Sequence, residues 1–183
     1  MERRGAAPVV LVNPRRLEDI DLPATGPGCL EDLQNEFAQK GYPTDHIYSG
    51  GARRLTEWFG SGIQILDGSV YDIEKIANGQ RFDLVCFLGL LYHLRDPVRG
   101  LMAAARQTNE LLILESMCFP SGHGLADSSE AYCEFLGGTP GHCWWTFNYR
   151  VIEQMLHSCG FARIEPKEQC GSRVVYHAYR GSA

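Results

Sequence analysis

A glycine, a tyrosine and a histidine stand within five consecutive residues of the stretch RFDLVCFLGLLYHLRDP, Arg81–Pro97. Gly89 has no side chain, so it lets the backbone come close to a flat ligand. Tyr92 and His93 can donate hydrogen bonds, stack on a ring or move a proton. The stretch therefore predicts a site for binding or proton transfer. The alternative, that Tyr92 and His93 only pack under the following helix, stays open.

Alternating strands and helices must position these side chains. Short apolar runs predict four strands: Val9–Val12, Ile63–Leu66, Leu84–Leu88 and Leu111–Leu114. Helical spacing predicts helices that end at Gly41, begin at Asp96-Pro97 and extend from Asn148 to Gly160. The segments ARIEP and VVYHAY predict a closing pair of strands. This alternation favours an α/β fold, with helices flanking a mostly parallel sheet in a single domain, residues 1–183.

In open α/β sheets, ligands bind just beyond the carboxyl ends of the strands. The residues that follow the predicted strands are therefore candidates for the site. Asn13 follows the first strand and Glu115 follows the fourth. Glu115 can serve as a base or substrate ligand, or it can accept hydrogen bonds from loop N–H groups. Both interpretations stay open.

A long irregular segment, Met117–Phe147, contains the aromatic pair Trp144 and Trp145. Loops of this length inside a compact domain are often functional. The two tryptophans form either a substrate platform or part of the core, because aromatic side chains bury large areas in both settings. The cysteines and histidines of this segment match no metal-ligand spacing, so we predict no metal site.

Composition excludes several classes of function. The 183 residues carry 17 Lys and Arg against 22 Asp and Glu, and no basic block is longer than two residues, which argues against DNA binding. Seven cysteines without a C-x-x-C pair predict a reducing, cytoplasmic setting. The apolar run near the start of the sequence is too short to cross a membrane.

The segments FDLVCFLGLLYHLRDP, LLILES and CWWTFNYRVIEQMLHSCGFARIE together resemble class I S-adenosylmethionine-dependent methyltransferases. The LGxLYHLRDP and WW elements are most similar to the branch that includes the tRNA wobble-uridine carboxymethyl-transferring enzymes. The resemblance runs from about Val9 to the end of the chain. It implies a Rossmann-like sheet with S-adenosylmethionine as cofactor. It also implies that Asn13 lies near the ribose, Gly68–Val70 along the adenine, and Leu88 and Gly89 near the methionine portion.

The sequence departs from this family at three cofactor positions. The family's first strand ends in a Gly-rich loop of D-x-G-x-G type, whereas ERRGAAPVVLVNP resembles the end of the first helix followed by the second strand. We therefore expect a domain truncated at its N-terminus. Asn13 replaces the ribose-binding acid and keeps an acceptor without the charge. Ser69 replaces the acid of the adenine loop, where Asp67 could substitute. We expect weak or lost cofactor binding.

The expected absence of the first strand has a structural consequence. In the family that strand lies between the strands that correspond to Val9–Val12 and Leu84–Leu88. Either these two strands pair directly or a partner fills the gap, because unpaired strand edges invite another chain. We expect direct pairing, with both strands buried on both faces, in a monomer or weak homodimer.

The resemblance implies methyl transfer to an O or N nucleophile on a small molecule or RNA base. His93 is the predicted base, with Tyr92, Glu115, Trp144 and Trp145 as further catalytic or substrate contacts. Such a displacement requires mainly alignment of the reactants. The alternative is a degenerate, non-catalytic domain that acts as a binding or assembly partner. The missing loop favours that alternative, and the intact segment from Gly89 to His93 favours the enzyme.

Overall fold

The computed structural model describes residues 1–43, 45, 48–138 and 141–181. They form two compact units, which divide between Asn78 and Gly79. The organisation as a single domain stays a prediction.

The first unit contains two strands that form a parallel pair. Its elements are β1 (Val10–Asn13), α1 (Leu30–Lys40), α2 (Ser49–Phe59), β2 (Gln64–Asp67) and the single turn α3 (Ile73–Ile76). Leu11 pairs with Ile65, and Asn13 pairs with Asp67 at the carboxyl ends. The predicted helix that ends at Gly41 is confirmed, since α1 stops at Lys40. Both predicted strands are confirmed, each shifted by one residue.

The second unit is built around a four-stranded sheet with the order β3-β4-β8-β7. Its elements are β3 (Phe82–Leu88), α4 (Pro97–Arg106), β4 (Thr108–Met117), β5 (Cys133–Phe135), β6 (Trp145–Phe147), α5 (Tyr149–Ser158), β7 (Arg163–Cys170) and β8 (Arg173–Tyr179). Strands β5 and β6 form a separate antiparallel pair.

The prediction of a mostly parallel sheet is wrong for the second unit. Only β3 and β4 run parallel, whereas β8 is antiparallel to both β4 and β7. The reason is the connection between the last two strands. A two-residue turn, Gly171 and Ser172, joins β7 to β8, and a connection this short can only join antiparallel strands.

Side-chain caps fix where the two long helices of the second unit begin. The Asp96 carboxylate accepts a hydrogen bond from the Arg99 N–H, 3.1 Å away, and Pro97 occupies the first helical position. The Asn148 side chain accepts from the Val151 N–H at 3.0 Å. Both predicted helix starts are confirmed. The caps satisfy N–H groups that have no partner inside the helix, and they fix the point at which each loop ends.

The core of the second unit lies on one face of the sheet. Alternate residues of β4, Leu112 and Leu114, are fully buried, and so are Leu101 of α4 and Ile152 of α5. The intervening residues of β4 are only half-buried. A strand places successive side chains on opposite faces of the sheet. The face that carries Leu112 and Leu114, which α4 and α5 cover, is therefore more deeply buried than the opposite face.

The predicted pairing of the first and third strands is wrong. In the described residues, β1 pairs with β2 and β3 pairs with β4, in two separate sheets. Burial of both strands on both faces is also wrong, since Leu84 and Leu88 are exposed and Leu88 retains 56% of its accessible surface. An apolar run shows that a strand favours burial, but it does not show which element supplies the cover.

Candidate functional site

Gly89 forms the junction between β3 and the segment that carries Tyr92 and His93. Its N–H donates to the Glu115 carbonyl at 3.1 Å, which extends the β3–β4 ladder by one residue. Its φ of +64° is left-handed, a conformation that glycine adopts without strain. A Cβ here would lie 3.5 Å from Glu115 Oε2 and 3.7 Å from Tyr92 Oη. Gly89 therefore ends the strand in a left-handed conformation, with these two polar groups beside its backbone.

The Arg173 side chain joins the two polar groups beside Gly89. Arg173 Nη1 donates to Tyr92 Oη at 2.6 Å and to Glu115 Oε1 at 3.1 Å. These contacts raise the pKa of Arg173, first through the hydrogen bond to Tyr92 and then through the nearby charges. The structure thus brings together Gly89, Tyr92 and Glu115, as the sequence predicts, and adds a cation that the sequence analysis missed.

Strand direction explains how Arg173 reaches this site. Because β8 runs antiparallel to β4, its first residue lies at the edge where β3 and β4 end, and Arg173 pairs with Met117 in the ladder. The predicted closing pair of strands was the sequence feature from which the position of Arg173 could have been inferred. A hairpin at the end of an otherwise parallel arrangement places its turn at this edge.

Tyr92 and His93 lie on a single 3₁₀ turn, Leu91–His93, with their ring centroids 4.2 Å apart. Tyr92 is only 5% exposed, whereas His93 is half-buried. The packing interpretation therefore holds for most of the Tyr92 ring, and its hydroxyl reaches Arg173. His93 remains accessible from one side.

One ring nitrogen of His93 has a backbone partner. His93 Nδ1 lies 3.0 Å from the carbonyl oxygen of His142. A carbonyl only accepts hydrogen bonds, so Nδ1 carries the proton in this contact. In the neutral imidazole, Nε2 is then the nitrogen with the lone pair. This tautomer is the one that allows Nε2 to accept a proton from another molecule.

The two tryptophans predicted as substrate contacts belong to a hairpin that is bonded to the same segment. The Trp144 N–H donates to the Tyr92 carbonyl at 2.8 Å, and Trp145 Nε1 donates to the Arg95 carbonyl at 3.2 Å. Trp144 is 7% exposed and Trp145 is half-buried. Trp144 thus serves mainly as core, and Trp145 keeps an accessible face. Thr139 and Pro140 of this hairpin's connection lie outside the described residues.

Two thiols near the site remain protonated at neutral pH. Burial raises the pKa of Cys118, which follows β4, and of Cys143, which precedes Trp144. The thiolate is the reactive form of cysteine. Neither thiol is therefore suited to act as a nucleophile. Within the described residues, no group of three metal-ligating side chains could hold a metal ion.

The predicted cofactor residues of the first unit surround the end of the β1–β2 pair. The Gly68 N–H donates to the Asn13 carbonyl at 2.9 Å. The Asp67 carboxylate accepts from Arg53 Nη2 at 2.6 Å, and this ion pair is partly buried. Asp67 is therefore engaged within the unit, which weakens its case as a substitute for the missing acid. Asn13 keeps an amide that can accept from a ribose hydroxyl and fits that role.

The segment Gly68–Val70, which is predicted to lie along the adenine, also makes structural contacts within the first unit. A Cβ on Gly68 would overlap the end of the Ile76 side chain, so a larger residue here would require that side chain to move. The Ser69 hydroxyl accepts from the Tyr71 N–H at 3.3 Å and caps the turn that contains Val70. These contacts fix the backbone of the segment. The remaining predicted cofactor residues, Leu88 and Gly89, belong to the second unit.

Solved structures share this fold. The chain matches the N-terminal domain of EvdMO1 with SAH bound, with 18% identity and a TM-score of 0.55, over 95% of this chain and 75% of that domain. It spans 38% of the chain in another structure, that of EvdMO1. It also matches magnesium protoporphyrin IX methyltransferase (ChlM) from Synechocystis PCC 6803 with bound SAH, with 18% identity and a TM-score of 0.51, over 98% of this chain and 78% of that one.

A third similar structure is the 1,6-didemethyltoxoflavin-N1-methyltransferase of Burkholderia thailandensis, with 1,6-didemethyltoxoflavin and S-adenosylhomocysteine bound. Its identity to this chain is 13% and its TM-score 0.55, over 96% of this chain and 72% of that one. No family model and no curated protein matches the chain. The chain therefore has the α/β, Rossmann-like fold of class I methyltransferases. None of the described helices is long and apolar enough to cross a membrane.

Proposed function

We propose that this chain binds S-adenosylmethionine and transfers its methyl group to an O or N nucleophile on a small molecule or RNA base. The observation that carries the proposal is the contact of His93 Nδ1 with the His142 carbonyl, because it leaves Nε2 as a proton acceptor. The fold supports the choice of cofactor. Similar structures contain SAH or SAM, although each is less than 25% identical to this chain.

The proposed site residues have two kinds of role, proton transfer and positioning of the reactants. S-adenosylmethionine supplies an electrophilic methyl group, and the acceptor's O or N forms the new bond as the bond to sulfur breaks. His93 Nε2 takes the proton that the acceptor loses. Tyr92, held by Arg173, and Glu115 orient the acceptor through hydrogen bonds. Asn13, Gly68–Val70, Leu88 and Gly89 are the proposed cofactor contacts.

The proposed assignment to one branch of the methyltransferases rests on the sequence alone. The LGLLYHLRDP element and the Trp144-Trp145 pair support the branch that includes the tRNA wobble-uridine enzymes. We place the activity in a reducing cytoplasm, because all seven cysteines are free and three of them are exposed. We also propose a monomer or weak homodimer.

A non-catalytic binding domain is the second candidate. The ion pair of Asp67 with Arg53 favours it, because that carboxylate is engaged inside the protein and Asn13 carries no charge. A domain that has lost cofactor binding would keep the fold and could still serve as an assembly partner. The two candidates differ in whether S-adenosylmethionine binds at all.

Cofactor titration and a methyl-transfer assay test the proposal together. Calorimetry should detect S-adenosylmethionine binding, and transfer of tritiated methyl should be measured into pools of small molecules and of tRNA. His93→Ala should lower turnover by about 10²- to 10⁴-fold, the usual contribution of a positioned acid or base. Cofactor affinity should remain, and the thermal midpoint should change by only a few degrees.

His157→Ala is the matched control. His157 is exposed on α5, and its Nδ1 also lies 3.0 Å from a backbone carbonyl, that of Phe161. It should retain full turnover. If His93→Ala keeps its activity but loses more than about 2 kcal/mol of stability, well beyond the range of a surface substitution, His93 is structural. Absence of cofactor binding would favour the non-catalytic candidate.

A further inference from the structure

Phe135 combines exposure with a fixed position. It lies on β5, directly opposite Trp145 of β6 in the antiparallel ladder. Its ring centroid lies 5.0 Å from that of Trp145 and 5.9 Å from that of Trp144. Yet Phe135 is 59% exposed. Two tryptophans therefore contact a phenylalanine whose side chain stays largely exposed to solvent.

This aromatic cluster, Phe135, Trp144 and Trp145, is joined by hydrogen bonds to the segment that carries the proposed base. Hydrogen bonds connect the hairpin to the segment Tyr92–Arg95 at three points: the Trp144 N–H, Trp145 Nε1 and the carbonyl of His142, which His93 contacts. The Arg95 guanidinium also lies 4.6 Å from the centroid of the Trp144 ring. The positions of Phe135 and His93 are thus set by the same short segment.

We infer that Phe135 is the exposed contact of an aromatic platform and that the methyl acceptor presents a flat aromatic ring to it. The inference rests on the proposed function and names the substrate class of that site. Phe135 carries no polar group, so it recognises a ring by its face or edge. Aromatic pairs of this kind have centroids 4.5–7 Å apart. An acceptor held there would be a flat ring that carries the O or N nucleophile.

The flat ring can come from a free small molecule or from a base of single-stranded RNA. Both offer the same surface, because every nucleobase has an aromatic face. Two probes separate the sources: 2-naphthol, a flat phenol, and an oligouridylate of eight nucleotides. The saturated decahydro-2-naphthol serves as the matched aliphatic probe, since it is also neutral and has the hydroxyl without the aromatic face.

Nuclear magnetic resonance with ¹⁵N-labelled tryptophan reports binding at the cluster directly. The chain has three tryptophans, so three indole N–H signals are expected, and single Trp→Phe variants assign them. At least one aromatic probe should shift the signals of Trp144 and Trp145. The signal of Trp58, which is exposed on α2 in the other unit, should stay in place. The saturated probe should shift none of them.

Phe135→Ala should weaken binding of the aromatic probe about tenfold, within the range for loss of one base-stacking ring. Phe135→Tyr keeps an aromatic ring and should bind the probe as the parent chain does. Phe59→Ala, which removes an exposed phenylalanine from α2, should leave it unchanged. The inference is overturned if neither aromatic probe binds. It is also overturned if Phe135→Ala changes only self-association, measured by sedimentation.

These titrations contain no cofactor, so their outcome is separate from that of the proposed function. Methyl transfer that is unaffected by Phe135→Ala would overturn the platform and leave the proposed function intact. Probe binding to the platform in a chain that transfers no methyl group would support the platform and overturn the proposed function.

Discussion

The guanidinium of Arg173 and the phenol of Tyr92 form a hydrogen-bonded pair: Arg173 Nη1 lies 2.6 Å from Tyr92 Oη, and Arg173 Cζ lies 4.9 Å from the centroid of the ring. Arginine only donates hydrogen bonds, so the tyrosine oxygen accepts. The hydroxyl proton of Tyr92 can then be donated to another group. Arg173 thereby orients the hydroxyl that we propose as a contact of the acceptor.

Removal of that hydroxyl tests how much the hydrogen bond between Tyr92 and Arg173 contributes to stability. Tyr92→Phe should lower the free energy of unfolding by about 1–2 kcal/mol, at the low end for hydrogen bonds to charged groups because Arg173 is 47% exposed and can rehydrate. Denaturation in guanidinium chloride measures the change. Tyr132→Phe removes an exposed hydroxyl that donates to Glu130 and should change stability by less than about 0.5 kcal/mol. Equal losses in both variants would contradict the prediction.

Gly89→Ala should destabilise the protein through its backbone and not through a steric clash. The nearest side-chain atoms would lie at ordinary contact distance from the new Cβ, so the left-handed φ sets the effect at about 1–2 kcal/mol. Thermal unfolding gives the change. Gly124→Ala is the control, since Gly124 has open space around it and no positive φ. A loss far above 2 kcal/mol would show that Gly89 packs more tightly than the structure indicates.

Asn13→Asp should strengthen binding of S-adenosylmethionine about tenfold, because hydrogen bonds to a charged acceptor exceed those to a neutral one by roughly 1–1.5 kcal/mol. The nearby Arg53 offsets repulsion between the new carboxylate and Asp67. Calorimetry of the two chains measures the ratio of dissociation constants, and Asn13→Ser, which also lacks a charge, is the control. If Asn13→Asp binds no better than the parent, Asn13 does not contact the ribose.

Stability should fall at alkaline pH. Burial raises the pKa of Tyr149 to about 12, and it also raises the pKa of the Cys118 and Cys159 thiols. The folded chain therefore keeps protons that the unfolded chain releases near pH 9–10. The stabilisation is complete below that range and is lost as pH rises through the folded values. Urea unfolding at pH 7.5, 9.5 and 11 should show the decline, and Tyr149→Phe should reduce its slope above pH 10. A flat profile would contradict these shifts.

The sequence predicted α1, α4, α5 and most strands because their signals are local. Asp96 and Asn148 act through hydrogen bonds three residues away, so both caps are visible in the chain itself. The Gly89–His93 segment was found for the same reason, since it directly follows an apolar run. Glu115 followed from the general position of ligand sites in α/β sheets.

The missed features depend on partners distant in sequence. Arg173 lies 81 residues from Tyr92, and only the antiparallel direction of β8 brings the two together. Phe135 belongs to a three-residue strand, too short to show alternation. The pairing of β1 and β3 was wrong because apolarity describes what a strand favours and not which strand lies beside it.

The two-residue turn between β7 and β8 limits how this fold can change in length. Gly171, with a φ of +60°, and Ser172 fix Cys170 opposite Arg173. The turn carbonyls accept from the N–H groups of Cys118 and Ser121, which ties it to the segment after β4. A single inserted residue would shift β8 by one position and exchange its two faces. Insertions and deletions should therefore be selected against in this turn, even though hairpin tips on protein surfaces usually tolerate them.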